Sequence, residues 1–520
     1  MTDRDAQVLI VGAGPTGLTL ALWLKQLGVD IRIIDKSSGP GETSRAIAVQ
    51  ARTLEFHRQI GIVEDVLAEG IRLKKLTMRR SEGIAAQLPV SEFGTGVTRY
   101  SFAFALAQDV HERVLLRHLR EAGVAVERET ELTGFMDDGA SVTATLRKAG
   151  VSNTVRADYL VGADGAHSAV RHGMKLGFPG GTYEQSFYVA DVMGNGPYTP
   201  EGIDIVLGAY GFALIIPVRQ SGSLRLIGIV PKHFEAEPDL TFEMIRDDVE
   251  RESRIKVETV NWFSHYRVHH RVADHFRERR AFIAGDAGHI HSPAGGQGMN
   301  TGMGDAVNLA WKLAAVLQGR AKPELLDSYE PERIAFAHSL IKGTDQAFRL
   351  VAGRSWFSDL WRRFVMPVIF ARVLKTKVGS RFFFGLISQT RINYRGGALS
   401  QGKAGDVEGG DRLPWVEYDG SDNFASLSSL DWQIHIYGET QAPFAAGAAR
   451  LGIALHRFPW TDAMAKAGLT RNGAYLVRPD GHVGLVTETQ DSQVLDAYVA
   501  RLGIKPRLEP GPTGTQGLPV

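Results

Sequence analysis

The first apolar and polar blocks of the chain alternate in a way that predicts a strand, a turn and a helix. An apolar run at residues 8–11 meets the glycine-rich turn 12–17, and apolar positions at helical spacing continue over residues 18–27. A second apolar run, 31–34, ends at Asp35. In a βαβ unit of this kind the glycines allow a close backbone approach, the helix N-terminus attracts phosphate, and the acid can bind a ribose. We therefore expect a dinucleotide-binding unit here.

The pattern continues with helices and strands up to residue 146. The predicted elements are helices over residues 49–60 and 110–122 and strands around 73–79, 100–106, 124–128 and 141–146. Asp138 and Gly139 form a turn signal, so the last two strands are expected to pair as an antiparallel element.

Two later predicted strands are each followed closely by an aspartate. A buried strand at 159–161 leads to Asp164 and Gly165, and a helix is expected to begin near Ser168. A strand at 282–284 leads to Asp286, and a glycine-rich loop then opens a helix from about Asn300. In a doubly wound sheet, ligands bind at this edge. An Asp-Gly pair alone is a common turn and says little.

The middle of the chain predicts a mostly antiparallel sheet. Its apolar runs lie at residues 187–192, 203–207, 212–218 and 224–230. After Asp204 there is no charge up to residue 218. This composition suits one wall of a substrate cavity, although a plain buried core strand explains it equally well.

The last third predicts a separate small α/β unit. Residues 355–387 are apolar, aromatic and basic, which favours a docking helix pair over a membrane-surface contact. Residues 396–413 are rich in glycine and polar residues and are expected to be a linker. Beyond it we expect a strand at 432–437, a helix at 444–451 and a hairpin at 473–486.

Composition and charge narrow the class of protein. With 520 residues, two or three domains are expected, and a net charge of +1 gives no argument for nucleic acid or anionic membranes as partners. The chain has no cysteine, so disulfides, thiolate metal sites and catalytic thiols are excluded. His289 and His291 suggest a metal site, but no acidic cluster beyond Asp286 accompanies them, so none is expected. No secretory leader pattern is present, which favours the cytoplasm.

Three separated motifs together resemble one family. GAGPTG with Asp35, then GADGAHSAVR, then GDAGHIHSPAGGQGMNTGMGDAVNLAWKLA are similar to the single-component FAD-dependent aromatic hydroxylases, the group A flavoprotein monooxygenases. The tail motif LVRPDGHVG is similar to the thioredoxin-like C-terminal domain of the phenol and aromatic-polyketide hydroxylase branch. Without cysteine, such a domain would pack or dimerise rather than carry out dithiol chemistry.

The resemblance implies an α/β fold with three parts. A Rossmann-like FAD-binding domain with a helical extension would span 1–177 and 272–390. A substrate-binding antiparallel-sheet domain would be inserted at 178–271, and the thioredoxin-like domain would span 400–520.

The resemblance also implies a set of cofactor contacts. Arg45 alone could equally be a surface arginine, and the resemblance favours a contact with FAD. The implied FAD-binding residues are Gly12, Ala13, Gly14, Pro15, Thr16, Gly17, Asp35, Lys36, Arg45, Gln108, Asp164, Asp286, Pro293, Gly296, Gly298, Met299 and Asn300. No catalytic base is assigned, since Tyr210, Arg219 and His265 are more plausible as packing or surface residues.

The implied reaction is hydroxylation of an aromatic, polycyclic or polyketide-like substrate. NADPH or NADH would reduce FAD, O2 would form a C4a-hydroperoxyflavin, and the distal oxygen would pass to the ring. The alternatives left open are Baeyer–Villiger insertion, epoxidation, halide oxidation and a non-catalytic flavin-binding protein. The expected partners are the aromatic substrate and O2, with no nucleic acid and no membrane span, in a monomer or homodimer.

Overall fold

The computed structural model describes residues 4–41, 46–80, 83–208, 211–218, 222–235, 237–291, 296–352 and 372–507. Its helices are α1 Pro15–Gln26, α2 Ala51–Gln59, α3 Val63–Glu69, α4 Gln108–Glu121, α5 Ala169–Gly173, α6 Phe242–Ser253, α7 Gly298–Leu317, α8 Tyr329–Ala352, α9 Lys377–Ile387, α10 Ala442–Arg450, α11 Asp462–Lys466 and α12 Ser492–Leu502.

The strands fall into three main sheets and several short pairs. They are β1 Ala6–Val11, β2 Ile31–Ile34, β3 Ile71–Leu73, β4 Lys75–Arg80, β5 Gly83–Pro89, β6 Ala103–Ala105, β7 Thr130–Asp137, β8 Val142–Lys148, β9 Val151–Gly162, β10 Gly180–Asn195, β11 Gly202–Gly208, β12 Gly211–Val218, β13 Ser223–Ile229, β14 Lys256–Val272, β15 Arg277–Glu278, β16 Ala281–Ile283, β17 His289–Ile290, β18 Lys403–Ala404, β19 Val407–Glu408, β20 Glu417–Tyr418, β21 Ser421–Asp422, β22 Gln433–Tyr437, β23 Ala454–Phe458, β24 Ala474–Val477 and β25 Val483–Thr487.

The first sheet has the strand order β15-β16-β9-β1-β2, with β7 and β8 joined to it through β9. Strand β1 runs parallel to β2 and β9, and β9 runs parallel to β16. The glycine turn after β1, Asp164 after β9 and Asp286 after β16 therefore meet at one edge of the sheet. Helices α1 and α7 pack on this sheet through Leu20, Trp23 and Leu313.

The second sheet has the order β17-β14-β10-β13-β12-β11-β4-β5 and is antiparallel except where β11 joins β4. One face is covered by α6, whose Phe242, Ile245 and Val249 share an apolar cluster with the sheet. The opposite face, here named the front face, turns toward residues 46–50 and α4. Its apolar residues include Ile203, Leu214, Ile216 and Ile227, which form one cluster with Ile47 and Ala105 packed against them.

The prediction of a strand at 124–128 is wrong. The antiparallel pair is β7 with β8, and Asp138 and Gly139 form the turn between them as expected. Val124 and Val126 alternate like a strand because they pack on the first core. Residue 127 instead makes one bridge to the edge of β2, where the Glu127 N–H donates to the Ile33 carbonyl over 2.9 Å. Alternation reports one buried face and does not report whether a partner strand is present.

The C-terminal unit is built on a four-stranded mixed sheet in the order β23-β22-β24-β25. The predicted hairpin at 473–486 is confirmed as β24 and β25. The predicted linker 396–413 is wrong as a free connection, because Leu399, Ala404 and Leu413 are buried in the cores. Trp432 and Leu495 belong to the same continuous apolar cluster as α1 and α7.

The predicted docking helices lie only in part within the described residues. Helix α9 is present, whereas residues 353–371 lie outside the described part of the chain. Within the described residues, no helix combines the length and apolar character needed to cross a membrane.

Candidate cofactor and substrate site

The three motif glycines of the first turn differ in their surroundings. A Cβ on Gly17 would collide with the Gly12 carbonyl oxygen, and a Cβ on Gly12, whose φ is +102°, would collide with the Ala163 carbonyl. A Cβ on Gly14 would have nothing within 4 Å. Gly14 is also the N-cap of α1, and no side chain caps the N–H groups of Thr16 and Gly17 in the first turn, where Pro15 has no N–H. The turn therefore packs tightly at two glycines and leaves the third open toward a ligand.

Asp35 is tied back into this turn. Its carboxylate accepts the Ala13 N–H over 2.7 Å and the Ser37 N–H over 2.8 Å. Arg128 lies beside it, with Nη1 3.8 Å from Asp35 Oδ2 and 3.1 Å from the Gly39 carbonyl, while its buried Nη2 has no partner. Arg128 is not among the predicted site residues, since nothing in the local sequence pattern distinguishes it from a surface arginine.

Lys36 lies next to Asp35 on the surface. It is exposed and lines an open cleft of about 500 Å³ together with Glu129, Glu131 and Arg147. The polar lining of this cleft suits solvent rather than an aromatic ring.

Asp164 caps the short helix α5 and keeps one oxygen unused. Its Oδ2 accepts the Ala169 N–H over 2.7 Å and the Val170 N–H over 3.3 Å, while its buried Oδ1 has no partner. Burial raises the pKa of this carboxyl. Because a buried unpaired oxygen is costly, Oδ1 is suited to accept a hydrogen bond from a bound group.

Thr16 brings the first turn and the third motif together. A Cβ on Gly302 would collide with the Thr16 hydroxyl, and one on Gly285 would lie 2.6 Å from it. The N-terminal ends of α1 and α7 therefore approach each other closely. Asp286 is exposed in the short turn Gly285–Ala287 between them.

Asp305 on α7 fixes the turn that follows β16. Its carboxylate accepts the Gly285 N–H over 2.9 Å, contacts His289 Nε2 over 2.7 Å and accepts Arg333 Nε over 2.6 Å. Burial opposes ionisation of Asp305, but the Arg333 charge together with His289 and the Gly285 N–H outweighs it and lowers the pKa. Asp305 is not among the predicted site residues, although an acid within an apolar helix is a signal that could have identified it.

Asn300 joins the start of α7 to the chain leading into α2. Its Oδ1 accepts the Gln50 N–H and the Thr53 hydroxyl, each over 2.8 Å. Its Nδ2 donates to the carbonyls of Ala48 and Gly296, each over 2.9 Å. The side chain has no remaining donor, so any cofactor contact at this residue involves the backbone.

The remaining predicted contacts surround the same junction. Gly298 and Met299 form the first turn of α7, which has no side-chain cap at Gln297. Gln108 begins α4, where its N–H donates to the Ala46 carbonyl over 3.2 Å and its Nε2 to Glu112 over 2.8 Å. Arg45 and Pro293 lie outside the described residues.

A buried ion pair lies at the edge of the front face. Arg225 is 1% exposed, and its Nε and Nη2 each donate to Asp191 over 2.7 Å. Its Nη1 donates to the Ala46 carbonyl over 3.2 Å, which joins the sheet to the segment held by Asn300. The sequence analysis missed this pair, although a lone arginine in the apolar run 224–230 was a signal.

Of the three residues considered as catalytic bases, Tyr210, Arg219 and His265, only His265 lies within the described residues. His265 pairs across β10 with Tyr188, whose side chain belongs to the cluster on the α6 side of the sheet. His265 therefore faces away from the front face.

These features fit a bound dinucleotide cofactor of the flavin type. Two uncapped helix N-termini meet beside an open glycine, and unpaired polar atoms of Asp164 and Arg128 are buried at the same cradle. An apolar sheet face lies on the other side of residues 46–50. Fold and site together define a dinucleotide-binding α/β protein with an apolar face beside its cofactor site.

Comparison with known proteins identifies the family. Residues 5–344 match the family model described as FAD binding domain. The chain belongs to this family, the FAD-dependent aromatic hydroxylases, and it is a flavin-dependent monooxygenase.

Individual relatives match over nearly the whole chain. It is 32% identical to 6-methylpretetramide 4-monooxygenase of Streptomyces rimosus, over 99% of this chain and 97% of the relative. The crystal structure of aklavinone-11 hydroxylase with FAD and aklavinone is 26% identical with a TM-score of 0.79, covering 96% of this chain and 99% of that one. The anhydrotetracycline hydroxylase from Streptomyces rimosus is 28% identical with a TM-score of 0.77, covering 96% and 100%.

Proposed function

We propose that this protein hydroxylates a polycyclic, polyketide-like aromatic compound, with NADPH or NADH as reductant and O2 as the oxygen donor. The relatives named above include enzymes whose names specify a methylpretetramide, an aklavinone and an anhydrotetracycline. These names support a fused-ring substrate for this chain.

The main support for this proposal is the connection between the start of α7 and the front face of the second sheet. The start of α7, the segment 46–50 and the front face of the second sheet are joined in series by Asn300 and by Arg225. This places an apolar wall beside the helix N-terminus at which an electron-rich cofactor ring would bind. A fused aromatic substrate suits such a wall, because the substrate buries its apolar area there. The few polar groups of the site would orient the substrate.

FAD, when bound, supplies the redox chemistry and the activation of O2. Gly14 and the start of α1 would hold its pyrophosphate, and Asp35 and Arg128 would hold its ribose end. The N–H groups at the start of α7, including Gly298, would stabilise negative charge on the reduced ring. The front face would exclude water and orient the substrate ring.

We further propose the predicted three-part division into 1–177 with 272–390, 178–271 and 400–520. The C-terminal sheet, with β22 and β23 parallel around α10 and an antiparallel hairpin before α12, supports a thioredoxin-like domain. Strands β4 and β5 extend the sheet of the middle part. A cytoplasmic location and a monomeric or homodimeric state stay predictions.

The test is NADPH and NADH oxidation by the FAD-loaded protein, with and without a panel of phenols, quinolones and fused aromatics. We expect a fused aromatic to accelerate oxidation and to gain one oxygen atom as a ring hydroxyl, identified by mass and NMR. A ring-expanded ester or an epoxide would contradict hydroxylation. Firmly bound FAD with no acceleration by any compound would contradict catalysis on this class.

Two variants test whether the substrate binds at the front face. Leu214→Trp fills the front face, and we expect about tenfold less substrate-stimulated oxidation with unchanged FAD loading. Met244→Trp adds the same side chain on exposed α6, beyond the other face of the sheet, and should leave the rate unchanged. Equal losses in both variants would place the substrate elsewhere.

A further inference from the structure

The turn between β24 and β25, residues 478–482, is buried although it carries charges. Arg478 is 0% exposed and Asp480 2% exposed. Hairpin turns usually lie on the surface, and burying two charges is costly unless both are paired and hydrogen-bonded. The partners of this turn are therefore informative about its role.

Asp480 holds two helices of the cofactor site at once. Its backbone carbonyl accepts Arg52 Nη2 of α2 over 2.5 Å. Its carboxylate Oδ2 accepts Trp311 Nε1 of α7 over 3.2 Å. These are the two helices whose starts Asn300 joins, so α2 and α7 are connected at their N-terminal ends and again through the turn.

Arg478 holds α7 by a second route. Its guanidinium donates to both carboxylate oxygens of Glu332 on α8, over 2.7 and 3.0 Å. Glu332 in turn accepts Lys312 Nζ over 2.8 Å and Asn308 Nδ2 over 2.7 Å, both from α7. Burial favours neutral Glu332, but the Arg478 and Lys312 charges outweigh it and lower its pKa to about 2.

The start of α2 is restrained in the same way. Glu55 accepts Arg52 Nη1 over 2.8 Å and Arg412 Nη2 over 2.5 Å, and the Thr98 hydroxyl donates to it over 2.6 Å. Arg412 lies within the proposed C-terminal part, residues 400–520. Buried charges from that unit thus hold α7, whose first turn carries predicted cofactor contacts, and α2, which follows residues 46–50.

We propose that the turn at residues 478–482 is a positioning element of the flavin site. It sets the separation of α2 and α7, and with it the placement of residues 46–50 relative to the start of α7. This inference rests on the proposed function. A shift of about 1 Å between reacting groups can cost up to about 100-fold in rate, so a small change at the turn has a measurable effect. The C-terminal unit would thereby contribute geometry without any thiol chemistry.

The test uses the full-length FAD-loaded protein with Asp480→Asn and, independently, Trp311→Phe. Asp480→Asn removes the charge that offsets Arg478, and Trp311→Phe removes only the α7 donor to the turn. We expect about tenfold weaker FAD binding by fluorescence titration and a changed visible circular dichroism spectrum of the flavin. We also expect more of the NAD(P)H consumed to yield hydrogen peroxide.

Met464→Ala is the control for lost stability, because Met464 on α11 is a buried uncharged side chain in the apolar cluster of the C-terminal unit. At equal loss of Tm, the turn variants should weaken FAD binding while Met464→Ala should not. If FAD affinity follows Tm equally in all three variants, the turn is merely structural and the proposal is overturned. FAD binding and the flavin spectrum need no turnover, so they test this proposal even if no aromatic substrate is oxidised.

Discussion

Within one short motif, neighbouring glycines are needed for different physical reasons. Gly17 has no room for a Cβ because the Gly12 carbonyl oxygen occupies the place, whereas Gly14 has open space beside an extended backbone that any residue can adopt. A glycine is therefore needed at position 17 for the protein to fold, and at position 14 for a ligand to approach the backbone. Substitution by alanine separates the two.

For Gly14→Ala we expect an unfolding free energy of the FAD-free protein within about 0.5 kcal/mol of the wild type, with at least about tenfold weaker FAD binding. For Gly17→Ala we expect destabilisation by about 2 kcal/mol or more, because backbone atoms must move. Urea unfolding and fluorescence titration with FAD measure these quantities. A Gly14→Ala protein that binds FAD normally would place the pyrophosphate elsewhere.

Arg128, which lies beside Asp35, is a candidate FAD-binding residue that the structure adds to the predicted ones. Arg128→Met removes the buried Nη2 and the charge beside Asp35, and we expect about tenfold weaker FAD binding, as for loss of one charged hydrogen bond. Arg147→Met, which removes an arginine from the neighbouring open cleft, should leave FAD binding unchanged. Isothermal titration of both variants decides whether Arg128 contacts the cofactor.

A site residue can be predicted from the sequence when neighbouring residues in the chain form a motif with it. Asp164 and the glycines stand in short motifs whose spacing follows from one turn and one strand end, so sequence reasoning found them. Arg128 and Arg225 act through partners far along the chain, Asp35 and Asp191. Such pairs form only after the sheets assemble, so a lone arginine in an apolar run can indicate a buried charge but cannot identify its partner.

At the scale of elements, a buried histidine pair joins α2 to α4. The Nε2 atoms of His57 and His111 lie 2.8 Å apart, so one ring donates to the other and the pair is neutral. Burial lowers the pKa of His111 to about 3 and that of His57 well below its ordinary value. Charging either ring would remove the hydrogen bond or bury a charge.

The sign of the resulting pH dependence follows from proton linkage. Below pH 6.5 the unfolded chain protonates His111 while the folded protein does not, so stability falls as pH falls from 6.5 toward 3. His111 alone should cost about 2 kcal/mol between pH 7 and pH 5. In His111→Gln, urea unfolding at both pH values should show a correspondingly smaller loss, whereas His172→Gln on the exposed surface should match the wild type. An unchanged loss in His111→Gln would show that this histidine titrates normally.

Element prediction succeeded where burial and pairing coincide. The runs at 31–34 and 212–218 became strands with nearly the same bounds because each lies within a sheet. The run 100–106 shortened to Ala103–Ala105, since only these residues find a partner in β3. The linker at 396–413 was misjudged because its few apolar residues are widely spaced, although Leu399 is buried in the first core and Ala404 and Leu413 in that of the C-terminal unit.

At the scale of the whole molecule, the core crosses the proposed domain boundary. Trp23 and Leu313 belong to one apolar cluster with Trp432 and Leu495, and the charges around residue 480 lie at the same junction. We expect one calorimetric unfolding transition, with a calorimetric enthalpy equal to the van't Hoff enthalpy. Two resolved transitions, one abolished by limited proteolysis of the C-terminal unit, would contradict a shared core.

The order of strands in the first sheet also has a consequence for synthesis. Strand β9 is complete at Gly162, but its parallel neighbour β16 begins only at Ala281. Translation at about 5–20 residues per second needs on the order of 10 seconds for the roughly 120 residues between them. For that time residues 160–162 of β9 are exposed without the strand that pairs with them in the finished sheet. Slower ribosomes lengthen this exposure, so yield in a host should depend on chaperone supply during translation more than on free FAD.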